Sequence, residues 1–290
     1  MSIRVFDALS RHAPEALSSY GIRPNDLRSI ENFGPQDSVF LVGSYARGEA
    51  TASSDLDLAV LCDRQPARVD GTRGYPSVVG DTVVAAEVNG LALTVEFIRR
   101  SVLRGISEVL AAIPGTSESP SLGNLGALEL RAVERIGTGI VLQQGAGDAE
   151  LIEGLDLSKA RLNKAALAFL ISMGHLRAAT APGADRGIRS LRLREGAQDL
   201  LIAEVNAAGV LTFDSKHLVR RATLLTTGHA RRLLDGLSRL ETEPNELESR
   251  LRAAADEFVA RASQERQRAL INVLLRPIMP RIETAWSSAA

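Results

Sequence analysis

The stretch 39–61, "VFLVGSYARGEATASSDLDLAVL", sets two apolar runs on either side of a polar insert that holds Gly43, Ser44, Asp55 and Asp57. Short continuous apolar runs bounded by turn residues read as strands buried on both faces. "SVFLV" (38–42) and "LDLAVL" (56–61) are therefore predicted strands. Side chains alternate along a strand, so Asp55 and Asp57 share one face while Leu56 and Leu58 share the other. Two carboxylates on one face repel each other unless a cation stands between them. A divalent ion with oxygen ligands, most naturally Mg²⁺, meets that need, because it takes a few carboxylates and leaves its other positions to water and phosphate oxygens.

Further along, "DTVVAAEVNGLALTVEFI" (81–98) reads as two strands joined at Asn89-Gly90, a strong hairpin signal. Thr94, Glu96 and Ile98 share a face, which embeds Glu96 as an acid in an apolar strand. If that strand lies beside the one carrying Asp57, the three carboxylates converge. Glu87 competes for the third position but sits near the turn, whereas Glu96 has apolar neighbours on both sides. Gly43-Ser44 supplies a second ingredient. Glycine permits close backbone approach, and if "SYARG" opens a helix, its N–H groups point at the same ligand. An isolated Asp-x-Asp is more often a turn with a solvated acid. Gly-Ser, ten residues, Asp-x-Asp entering a strand and an acid inside a later strand make a far more specific combination.

Around this centre, residues 3–20 space their apolar side chains as a helix, closed by "YGIRP". The Pro-, Gly- and Arg-containing stretch 62–80 reads as a long loop. The stretches 101–115 and 125–137 are helical in pattern, and 139–145 is a last short strand. From about Asp148 the pattern becomes wholly helical, with four or five amphipathic segments. The expected organisation is an α/β half over 1–147 and an all-α half over 148–290. The chain has 290 residues, and its 34 basic against 35 acidic residues argue against an all-over grip on nucleic acid. One cysteine, Cys62, excludes an internal disulfide or a multi-cysteine metal site and reads as a buried apolar group. His175, His217 and His229 have no zinc-ligand spacing, and Trp286 reads as a packing anchor. Without a membrane-length apolar run or a signal-peptide core, the protein is expected in the cytoplasm.

"GSYARGEATASSDLDLAV" resembles the signature of the polymerase-β-type nucleotidyltransferase superfamily, strongly over 39–60 and more loosely over 95–98. Its wording is most similar to stand-alone and aminoglycoside-type antibiotic nucleotidyltransferases. "RAVERIGTGIVLQQG" (131–145) is similar to the segment that closes such a domain, with Gln143 where those proteins usually carry a Tyr. The resemblance implies an α+β fold: a catalytic domain with a small mixed sheet, then a helical bundle forming the acceptor domain. It implies that Gly43 and Ser44 hold the phosphates of a nucleoside triphosphate, and that Asp55 and Asp57 bind two Mg²⁺. Glu96 would complete the metal site or accept the proton of the attacking hydroxyl. Arg47 is a phosphate contact or a surface ion-pair partner. Lys216, in "LTFDSKHLVRRATLL", is a cationic arm on the triphosphate or a surface charge. The implied reaction transfers AMP from ATP to a hydroxyl of an antibiotic or metabolite and releases pyrophosphate; a homodimer is also implied. The alternatives are an antitoxin-type enzyme that modifies a tyrosine of a HEPN-type toxin, and a nucleotide-binding module without catalysis.

Overall fold

The computed structural model describes residues 3–24, 26, 34–51, 53–63, 73–76, 82–113, 125–212, 218–225, 228–239 and 242–264. Trp286, His217 and Lys216 lie outside them. Two compact units divide these residues, one from Met1–Leu110 with Leu125–Asp156, the other from Ala111–Asn124 with Leu157–Ala290.

The first unit opens with α1 (Ile3–His12) and α2 (Pro14–Ser19). The single helix expected over 3–20 is broken because Pro14, at the first position of α2, disfavours helical backbone at Ala13 (φ −138°). β1 (Ser38–Val42), α3 (Gly43–Ala46) and β2 (Leu56–Cys62) follow, then β3 (Arg73–Pro76), β4 (Thr82–Val88) and β5 (Leu91–Arg99). α4 (Arg100–Ala112), α5 (Ala127–Thr138), β6 (Ile140–Gln143) and α6 (Asp148–Glu153) complete the unit. The sheet order is β3-β4-β5-β2-β1-β6. β2 and β5 run parallel and every other pair is antiparallel, so the sheet is mixed. Every residue of β1 is buried, as the unbroken run "SVFLV" requires. Asn89 (φ 51°) and Gly90 (φ 86°) both take left-handed backbone, the geometry of a two-residue hairpin turn between β4 and β5. One correction concerns 62–80. Its residues 73–76 form β3, which a Pro- and Gly-bearing sequence hides because an edge strand tolerates both.

α6 packs into this first unit although the helical pattern begins there. Asp148, 1% exposed, accepts hydrogen bonds from Ser38 Oγ (2.6 Å) and from Arg100 Nε and Nη2 (2.6 and 2.9 Å). Arg100 also donates to the Gln36 carbonyl (2.6 Å) and lies 3.1 Å from Asp63. This network ties the start of β1, the end of β2, α4 and α6 together. The hydrogen bond from Arg100 to Asp148 raises the arginine's proton affinity above its ordinary value, which leaves it a fixed positive charge.

The second unit contains α7 (Leu157–Ala179), α8 (Arg186–Ala207), α9 (Leu218–Leu225), α10 (Gly228–Ser238) and α11 (Pro244–Gln264). Asp185 caps α8 by accepting from the N–H groups of Gly187 and Ile188. α7 and α8 pack through small residues: a Cβ on Gly196 would stand 3.1–3.3 Å from Leu251, Ser172 and His175. Phe169 and Phe258 stack with ring centroids 5.1 Å apart in its core. α9 and α10 are separate because Gly228 has φ +56°, outside helical range. The α+β fold with a helical C-terminal region stands. Among the described residues, no helix is long and apolar enough to cross a membrane.

Candidate active site

β1 ends at Val42, and the chain turns at Gly43, whose φ of +70° is left-handed backbone that favours glycine. A Cβ at this position would collide with Asp57 Oδ2 and stand 3.0 Å from its Cγ. The register explains this, because Val42 is the antiparallel partner of Asp57. The Asp57 carboxylate therefore lies against the α-carbon of Gly43, and the glycine turn and the acid share one place. Ser44 is buried beside it at 5% exposure. Tyr45, the next residue of α3, packs on the core beneath. Burial pushes its hydroxyl above the ordinary value, and the nearby Tyr20 and Glu15 add to the effect.

The chain returns to β2 through a turn that ties itself together. The Ser54 N–H donates to the Thr51 carbonyl (3.0 Å), and the Thr51 N–H donates to Ser54 Oγ (2.8 Å). Asp55, just before β2, is exposed, whereas Asp57 inside the strand is half-buried. β5 lies beside β2, as the sequence suggested. Asp57 pairs with Thr94, and Glu96 pairs with Ala59, one pleat deeper on the same face. Glu96 is buried at 4% exposure, while Glu87 is exposed near the hairpin.

Among the described residues, no group of three His, Cys, Asp or Glu side chains stands close enough to hold a metal. Two facts account for this. Asp55 precedes the strand, and Glu96 is a pleat away from Asp57. In addition, α5 brings a cation of its own. Arg135 Nη1 is 3.7 Å from Asp57 Oδ2, and its Nε is 3.4 Å from Glu96 Oε2. Arg131, one helical turn earlier, has its Nε 4.0 Å from Glu96 Oε2.

Arg47 is engaged as well, donating from Nε to Glu49 Oε2 (2.9 Å) and lying 3.7 Å from Glu134 of α5. Gln143, standing where the family resemblance expects Tyr, donates to the carbonyls of Gly34 (3.0 Å) and Asp37 (2.8 Å), fixing the entry to β1. The structure thus brings Gly43, Ser44, Asp57 and Glu96 together, with Asp55 at the strand entrance and Arg47 on the turn after α3. Sequence reading did not single out Arg131 and Arg135. Their signal was an i, i+4 pair of arginines on a helix that also carries Glu129 and Glu134, a pattern that ordinarily marks a solvated face.

The family model described as "Nucleotidyltransferase domain" matches residues 26–102. No curated protein matches the chain. Among solved structures, a nucleotidyltransferase-like protein from Exiguobacterium sibiricum 255-15 is similar at 13% identity with a TM-score of 0.41. That match covers 92% of this chain and 77% of the other. Residues 26–102, which match the nucleotidyltransferase domain, carry the glycine turn, both aspartates and Glu96.

Proposed function

We propose that the protein transfers a nucleoside monophosphate, AMP from ATP, to a hydroxyl of a small molecule such as an antibiotic or metabolite, with release of pyrophosphate. The observation that carries this reading is the placement of the Asp57 carboxylate against Gly43, where a Cβ would collide with it. A phosphate chain lying over Gly43 and Ser44 meets Asp57 at once.

The donor set fits a hard divalent cation. Asp55 and Asp57 offer carboxylate oxygens at one end of β2, and Mg²⁺ characteristically takes one or two carboxylates together with substrate phosphates and water. A cage of three protein acids is not required. When bound, such an ion supplies neutralisation of the triphosphate and of the departing pyrophosphate. The protein's own part is positioning and a fixed electrostatic frame. Gly43 and Ser44 hold the β- and γ-phosphates so that the acceptor oxygen meets the α-phosphorus in line with the bond that breaks. Glu96 is the third acid of the set, and the acceptor's proton passes to these carboxylates. In this reading the helical unit from Leu157 onward takes the acceptor, and the unit that contains α6 takes the nucleotide.

The test is incubation of the full chain with α-labelled nucleoside triphosphates, Mg²⁺ and a panel of aminoglycosides, lincosamides and small-molecule extract. Label moving to a small molecule with stoichiometric pyrophosphate supports the proposal. Label appearing only on a protein would move the function to protein modification, and no pyrophosphate with any acceptor would remove the enzymatic reading of this site.

A further inference from the structure

We infer that Arg135 is a positioning residue that acts as the resident counter-cation of Asp57 and Glu96 and competes with a divalent cation for them. The inference rests on the proposed role of these acids and says how access to them is controlled. Glu96 is buried inside a sheet, where an unpaired carboxylate is costly, and Asp57 is half-buried one pleat away. Arg135, with its side chain 14% exposed, spans both at 3.4 and 3.7 Å. These are long contacts for a guanidinium, which makes its best bidentate pairs at about 2.7–2.9 Å. A hard cation binding a carboxylate oxygen at about 2.0–2.1 Å takes a much closer position on the same group. The arginine therefore neutralises the pair without locking it.

The backbone beneath Arg135 is fixed, which confines the exchange to its side chain. α5 ends at Gly139, where a Cβ would stand 2.6 Å from the Arg135 carbonyl and 3.1 Å from both Phe40 Cβ and Val42 Cγ1. The end of the helix is thus seated on β1, and sliding α5 away would open a gap in the core. Arg131, on the same helix face and 48% exposed, stays beside Glu96 when Arg135 swings out. A released Arg135 therefore takes its charge away from Asp57, while Glu96 keeps Arg131 beside it.

The experiment measures Mn²⁺ binding by the full chain without nucleotide, from the electron paramagnetic resonance signal of free Mn²⁺, for wild type, Arg135→Gln, Arg135→Lys and Asp57→Asn. Arg135→Gln should bind Mn²⁺ tighter than wild type, on the order of three- to tenfold, the size of one or two partly exposed ion pairs. Arg135→Lys, which keeps the charge but not the fork, should fall between them, and its retained charge guards against a variant that fails to fold. Asp57→Asn should lose the site. If Arg135→Gln binds Mn²⁺ as wild type does, or more weakly, while Asp57→Asn still loses binding, the competition is overturned and the acid set stands. Unchanged binding in Asp57→Asn would overturn both, because the ion would then sit elsewhere.

Discussion

At Gly43 the backbone and the Asp57 carboxylate are tied together by a single missing methyl group. Alanine there must adopt left-handed backbone, which costs about 1–2 kcal/mol, and its Cβ must also push Asp57 aside. Gly43→Ala should therefore lower stability by at least about 1–2 kcal/mol in denaturant unfolding and abolish nucleotidyl transfer. Retained full activity would show that Asp57 need not lie where it does. That Asp57 and Glu96 share a face of adjacent strands was legible in the sequence because side chains alternate along a strand, whereas Asp55 precedes β2 and escapes that rule. Arg135 was not legible, since no local pattern tells an arginine facing a carboxylate across a sheet from one facing water. Lysine at 216 falls outside the described residues, so its assignment rests on the resemblance alone.

Among the elements, strands with a simple hydrophobic signature were readable, and those defined by pairing were not. β1, β2 and the β4–β5 hairpin follow from composition and the Asn-Gly turn, whereas β3 exists only because β4 offers it an edge. The link between α6 and the sheet was hidden for the same reason: Asp148 finds Ser38 and Arg100 far away in sequence. Asp148→Ala removes the acceptor of Ser38 and of Arg100, while Arg100 keeps Asp63 and the Gln36 carbonyl, so it should cost about 1–3 kcal/mol of stability by chemical denaturation. A loss under 1 kcal/mol would mean that the network is incidental. In the helical unit, Glu248 accepts from Arg189 Nη2 (2.6 Å) and Arg252 Nε (3.0 Å). Burial pushes its carboxyl upward, and those two hydrogen bonds together with the charges of the two arginines more than reverse the effect, leaving it below the ordinary glutamate value. A depressed carboxyl contributes stability above its unfolded pKa and loses that stability as pH falls through the folded one. Glu248→Gln should therefore be less stable than wild type at pH 7, with the gap closing below about pH 4, the ordinary glutamate range. Melting curves of both proteins across pH 3–7 check this, and a constant gap would contradict it.

The described residues form two buried cores. One is centred on the sheet and contains Val39, Leu58 and Phe97, and the other is centred on Phe169 and Phe258. Each unit closes its own core, so calorimetric unfolding should resolve into two transitions, which a single two-state transition would contradict. Agents that bind native protein raise the transition of the unit that holds them. The change of periodicity near Asp148 is a sequence signal that cannot tell which core a helix joins: α6 is helical in pattern, yet its Asp148 bonds to Ser38 of β1 and Arg100 of α4. In the proposed reaction the glycine turn and Asp57 together hold a metal–triphosphate complex. Titration calorimetry of ATP into wild type and Asp57→Asn, each with and without Mg²⁺, tests this. Binding by the wild type should depend on Mg²⁺ and be lost in Asp57→Asn while that variant stays folded; equal Mg²⁺-dependent binding by both proteins would contradict the proposed role of Asp57.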